Sequence, residues 1–322
     1  GTMSTSTTPR TVEETDLYRL EGDRLYYLNQ YRGLMVFDVS DVDHPQLLGR
    51  SPIYGSPVEM VVRDGIASVV VADWYGTMDD GTPFHGSIVR GIDARDPANM
   101  KITGEATLGG WVRDTRVVGD VLYAVTEKYP WDYGWYGGLG LDGAVGVSGG
   151  PSSAQVTVAS VNFAGGAVSA VDEYLVPGYG GVFNVTPNAI MLASDILTNV
   201  DQYGYGTSTG TSELRYLDIS DPAGQIVERG RAVVQGSLQS WGADNGRWNL
   251  DFADGQLAHV VARTSSYDGG ANNGLSISTV DFSDPAKPTM LGNLQAPMPG
   301  WDAAARFDGN RLYLTPTNWN CQ

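Results

Sequence analysis

One short turn, written again and again, limits what this chain can fold into. Residues 33–49 read as an apolar strand ending at Phe37, a turn of Asp38, Ser40, Asp41 and Pro45, and a second strand opening at Gln46. The turn chemistry is specific: aspartate and serine side chains bond backbone two residues on, and proline cannot donate to a ladder. The same order returns at Asp93, Asp96 and Pro97, at Asp218, Ser220, Asp221 and Pro222, and at Asp281, Ser283, Asp284 and Pro285. A degraded copy puts Asn162 in the aspartate slot. The repeated position thus falls at Asp38, Asp93, Asn162, Asp218 and Asp281, spaced 55, 69, 56 and 63 residues apart. A period of this size with strands inside each unit points to a propeller.

An apolar hairpin precedes each copy. The hairpins span residues 16–28, 58–71, 114–126, 182–192 and 248–261, turning on pairs such as Asp64-Gly65 and Pro187-Asn188. A sixth, at 303–314, has no turn after it. Each unit therefore reads strand, tight turn, strand, variable loop, strand, aspartate turn, strand. The expected fold class is all-β, a β-propeller of four-stranded blades, five complete and a sixth begun. Residues 1–13 read as a tag remnant and a Ser/Thr linker, and residues 14–322 as the propeller domain. Its blades cover 14–54, 55–109, 110–178, 179–238 and 239–298, with a partial blade at 299–322. The partial blade is completed by N-terminal residues, by a continuation of the natural chain, or by both, and continuation is the favoured reading. Ring closure stays open.

The hairpin-and-turn unit resembles the bacterial LVIVD-type repeats. The stretches 14–27 and 306–314, with Arg24-Leu25-Tyr26 and Arg311-Leu312-Tyr313 at matching places, look like blade openings of secreted bacterial and archaeal β-propeller-domain proteins, distant relatives of WD-type repeats. The resemblance covers most of the chain and implies export to the cell surface or beyond. It implies no activity, because propellers host enzymes and binding platforms alike.

Composition agrees with short strands and tight turns: Gly 42, Tyr 17, and 18% charged residues. The net charge of −17 makes nucleic acid and anionic membrane poor partners, since the phosphate term is repulsive. No apolar run approaches a membrane span. Cys321 is the single cysteine, so no intrachain disulfide can form.

In a propeller the loop between strands two and three lies on the face that carries the blade-to-blade connections. Those loops are the long ones here. The second blade's runs about Asp73 to Gly86 with Trp74, Tyr75, Asp79, Asp80 and His85, and the third blade's runs Glu127 to Ser153 with Trp131, Tyr133, Trp135 and Tyr136. The fourth holds Tyr203 and Tyr205, and the fifth Tyr267, Asp268, Asn272 and Asn273. Rigid flat aromatics beside aspartate and asparagine suit a protein or glycan partner. They also suit caps on blade ends, the weightier reading for the second loop, whereas the third exceeds what capping needs. No cofactor is expected. Asp79, Asp80 and Asp268 are oxygen ligands of the kind calcium takes, but without an EF-hand spacing, and zinc has no ligand set.

The expected function is a non-enzymatic, extracellular or cell-surface binding or adhesion module. The alternative is a polysaccharide-directed hydrolase or lyase using Asp16, Glu59, Asp114, Asp251 or Asp302 at the channel mouth, with His85 assisting. His259 reads as a core or interface residue, and the repeated aspartates read as structural.

Overall fold

In a computed structural model of the chain, the repeated turn closes on its own first side chain. The model describes residues 10–13, 16–77, 81, 83–128, 155–178, 181–199, 206–238, 246–264, 274–298 and 302–317. The backbone N–H two residues on donates to Asp38 at 2.9 Å, to Asp93 at 3.1 Å, to Asn162 at 2.9 Å, to Asp218 at 2.9 Å and to Asp281 at 2.7 Å. Five turns, one device: the aspartates are structural. Accepting these bonds favours the charged carboxylate. Arg95 and the turn N–H together hold Asp93 down at about 2, so its contribution to stability is fully present above 3.8 and is lost as pH falls from there through about 2.

The strands around the turns build the sheets. After β1 (Val12–Glu13), the first sheet is β2 (Tyr18–Glu21), β3 (Arg24–Asn29), β4 (Gly33–Asp38) and β5 (Gln46–Ser51). The second is β6 (Ser56–Arg63), β7 (Ile66–Thr77), β8 (Pro83–Asp93) and β9 (Lys101–Leu108). The third is β10 (Trp111–Val118), β11 (Val121–Lys128), β12 (Gln155–Asn162) and β13 (Ser169–Pro177). The fourth is β14 (Val182–Val185), β15 (Ala189–Thr198), β16 (Thr207–Asp218) and β17 (Val227–Gln235). The fifth is β18 (Leu250–Asp251), β19 (Leu257–Arg263), β20 (Gly274–Asp281) and β21 (Thr289–Pro297), and β22 (Asp302–Asp308) pairs with β23 (Arg311–Thr317). Neighbours are antiparallel throughout, which gives every sheet a loop face and a turn face.

Two departures concern extent. The stretch expected to be the second blade's loop is mostly ladder: Trp74 pairs with Gly86, Tyr75 with His85 and Thr77 with Pro83. And β1 adds to the third sheet, Val12 opposite Val118 and Glu13 opposite Val117, instead of extending the expected linker or completing the sixth sheet.

Alternation along each strand sends successive side chains to opposite seams. Tyr26, Leu28, Leu34 and Val36 of the first sheet pack against Met60, Val62, Ala67 and Val69 of the second. The second sheet's other face brings Val61, Val70 and Val89 against Val117, Leu122 and Ala124 of the third. Between the third and fourth sheets the seam is also hydrogen-bonded: Ser160 Oγ donates to Gly224 O at 2.7 Å and Ile226 N donates to Asp172 Oδ2 at 2.9 Å. His259 lies in the last seam, its Nδ1 3.1 Å from Thr279 Oγ1 and its ring beside Phe307.

The seam between the fourth and fifth sheets carries a buried acid. Asp195 is 6% exposed, with Ser212 Oγ 3.0 Å from Oδ1 and Ser237 Oγ donating to Oδ2 at 2.6 Å. Ser212 Oγ also lies 2.7 Å from Gly236 O. A hydroxyl has one proton, so both contacts are satisfied together when Asp195 itself carries a proton and donates it to Ser212. Burial raises the Asp195 carboxyl above its ordinary range, against the bonds from Ser237 and Ser212 and the charge of Arg263. The sign follows: this acid contributes stability fully below 3.8, and the contribution is lost as pH rises through the raised value. Asp195→Asn keeps the donor permanently. Its melting temperature, relative to wild type, should therefore rise from pH 4 to pH 8 in paired melting series. A flat difference would contradict the protonated assignment.

Candidate functional site

Aromatic residues divide between the two faces. On the turn face, Phe163, Phe252 and Phe282 follow directly on turns or close them, and all are buried. On the loop face four stand in solvent. Tyr31, between β3 and β4, is 88% exposed, Tyr54, between β5 and β6, is 66% exposed, and Tyr75 is 67% exposed. Trp248, in the connection from β17 to β18, is 54% exposed with the Arg247 guanidinium 4.9 Å over its ring. The first three belong to adjacent blades or to the connection joining them.

Tyr75 sits on the β7–β8 hairpin, where the local chemistry is defined. The ladder shifts register between Val71 and Trp74, so Ala72 and Asp73 form a bulge, and Asp73 adopts φ +50°. Bulges re-aim side chains. This one brings Asp73 Oδ1 to 2.7 Å from His85 Nε2, with Tyr75 edge-on to the same imidazole. The bulge also turns Trp74 inward. Trp74 is 4% exposed, stacks on Phe84, and lies beneath the Arg90 guanidinium at 4.9 Å, which Glu105 pairs from the other side. Trp74 is therefore a blade cap and leaves the set of exposed ligand-binding candidates. The others, Trp131, Tyr133, Trp135, Tyr136, Tyr203, Tyr205 and Tyr267, lie outside the described residues, as do Asp79, Asp80 and Asp268.

Of the carboxylates considered for hydrolysis, Asp114 and Asp16 are engaged in hydrogen bonds. Asp114 accepts from Arg116 Nη1 at 2.6 Å, and Arg247 Nε approaches its other oxygen at 3.7 Å. The neighbouring Glu127 accepts from Arg113 Nε at 2.7 Å and from Gly181 N at 3.0 Å. Asp16 accepts from its neighbour Leu17 N at 2.6 Å. Glu59 is buried, and Asp251 pairs in register with His259. Among the described residues no group of three or more histidine, cysteine, aspartate and glutamate side chains is placed to hold a metal ion. No helix among them is long and apolar enough to cross a membrane.

Sequence reasoning passed over Tyr31, Tyr54 and Trp248. The signal was available, since short loops and blade connections open on the same face as the long loops, but attention to loop length hid them. It also missed the arginines: Arg116 lies 5.6 Å over the Phe183 ring while holding Asp114.

The beta propeller domain model matches residues 3–135, and the LVIVD repeat model matches residues 269–296. The chain is a β-propeller protein with LVIVD-type repeats. The propeller has no match among curated proteins. Among solved structures it is similar to a functionally unknown protein from Desulfotomaculum acetoxidans DSM 771, at 15% identity and TM-score 0.43, over 92% of this chain and 73% of that one. The tricorn protease gives 10% identity and TM-score 0.36, over 96% of this chain and 33% of that one. An alpha-L-arabinofuranosidase from Clostridium thermocellum ATCC 27405 gives 9% and 0.24, over 90% and 95%. Superpositions this loose transfer no site to the propeller.

Proposed function

We propose that the propeller is a binding module of the cell surface or extracellular space, and that its loop face engages a protein or glycan partner. The carrying observation is the set of aromatics exposed on the loop face, Tyr31, Tyr54, Tyr75 and Trp248, while Phe163, Phe252 and Phe282 at the turn face and the loop-face cap Trp74 are buried. Tyrosine and tryptophan offer large contact area with few rotatable bonds, and this is why they dominate binding hot spots. The reading extends to Trp131, Trp135, Tyr136, Tyr203 and Tyr267, which the sequence puts in loops of the same face. Export rests on the resemblance to secreted propellers.

The test pairs stability with binding. Tyr31→Ala, Tyr54→Ala and Tyr75→Ala combined should leave the melting temperature within about 2 °C, because surface substitutions change stability by only about 0.5 kcal/mol each. Signal on a glycan and envelope-protein array should fall at least tenfold, since one hot-spot aromatic is worth about 2 kcal/mol or more. Array signal equal to wild type in a well-folded variant would reject the reading.

A further inference from the structure

The segment Arg10 to Glu13 touches three sheets in four residues. Val12 and Glu13 pair with Val118 and Val117 along the inner edge of β10 in the third sheet. Arg10 reaches into the fourth, where Nη2 donates to Pro187 O at 2.8 Å and to Ile219 O at 2.5 Å, and Nε donates to Pro187 O at 3.2 Å. Glu13 reaches into the second, accepting from Arg63 Nη2 at 2.6 Å. Val12 packs with the cluster of Val118, Tyr123 and Ile219 that fills the seam between the third and fourth sheets.

We infer that residues 10–13 are a strap that locks sheets two, three and four together across the turn face, with Arg10 and Glu13 as its two anchors. A strand of two residues cannot hold itself to an edge, since even isolated hairpins are marginal in water. The side chains must supply what the ladder lacks. Arg10 is suited to this: a planar fork with several donors can serve two carbonyls at once, and a guanidinium never loses its charge. Pro187 and Ile219 belong to different turns of the fourth sheet, so one arginine ties the β14–β15 turn to the exit from β16 while its backbone leads into the third sheet. Glu13 then completes the crossing at Arg63, where β6 ends. The strap occupies the inner edge of β10, which would otherwise present open donors and acceptors to any extended chain. It also means that opening any one of the three sheets at the turn face pulls on the other two.

Hydrogen–deuterium exchange on the full chain tests this. In wild type, amides of residues 10–13 should be protected at least tenfold over the unstructured rate. The combined Arg10→Ala and Glu13→Ala variant should raise exchange tenfold or more in residues 10–13 and measurably at 117–118, while 257–263 in the fifth sheet stays as in wild type. If that variant unfolds, Glu13→Gln is scored by the same three segments with a smaller expected rise of about threefold. Wild-type exchange at the unstructured rate, or unchanged exchange in a folded variant, would overturn the strap.

Discussion

Gly49→Ala and Gly230→Ala should each destabilise the propeller by about 3 kcal/mol, the upper end of the usual overpacking cost, whereas Gly292→Ala should be nearly silent. All three glycines hold one repeat position. Each stands beside a ladder irregularity in the fourth strand of its sheet, opposite Val36, Tyr216 and Thr279 respectively. A Cβ on Gly49 would lie 1.8 Å from Pro97 O, and one on Gly230 would lie 1.6 Å from Pro285 O. Both oxygens belong to the aspartate turn of the following blade. Backbone set by its own hydrogen bonds cannot yield that far, so the seam must part. Beyond the fifth sheet, β22 and β23 bring no such turn against Gly292, and among the described residues its added methyl meets nothing within 4 Å. Urea midpoints of the three variants decide the matter. Equal losses at all three would mean that the cost lies in strand backbone and not in blade-to-blade approach.

The second large effect also has an internal control. Tyr26→Ala and Tyr123→Ala should each cost about 3–5 kcal/mol, the usual range for a buried large aromatic truncated to alanine. Tyr313→Ala should cost under about 1 kcal/mol. The three tyrosines follow a leucine at the same place in the second strand of their sheets, yet Tyr26 and Tyr123 are 0% exposed and Tyr313 is 50% exposed. The difference is one of position in the series. Tyr26 and Tyr123 face a following blade, whose residues bury them, whereas β22 and β23 meet a neighbour on one side through Ala305, Leu312 and Leu314. The first sheet shows the converse. Tyr18 and Leu20 are 59% and 60% exposed, while Met60 and Val62, their counterparts in the second sheet, are each 2% exposed. Thermal melts of the three tyrosine variants test the assignment, and a large loss at Tyr313 would contradict it.

Much of this was legible because the repeat carries its own mechanism. An aspartate followed two residues later by a backbone donor means a turn wherever it occurs, and the degraded copy at Asn162 makes the same bond as the others. The hairpin turns were equally plain, with Asp64 and Gly65 both at positive φ. What escaped was whatever depends on a single local irregularity. Nothing in the order of Asp73, Trp74 and Tyr75 says which aromatic faces water. A bulge of two residues decided it, sending Trp74 under Arg90 and leaving Tyr75 outside. The strap escaped for another reason. Val12 and Glu13 carry too short a pattern to stand out from a Ser/Thr-rich leader, and their anchors Arg63, Pro187 and Ile219 are far away in sequence.

The claim that the loop face is the recognition surface is tested most directly by an exchange footprint. The strongest-binding oligosaccharide or envelope protein from the array would be added to wild-type propeller, and protection would be mapped by segment. Exchange should slow at 30–33, 53–56, 73–77, 83–86 and 246–249, with the turns at 38–45, 93–100, 218–226 and 281–288 unchanged. Protection confined to those turns, with the loop segments exchanging as in the free protein, would contradict the claim.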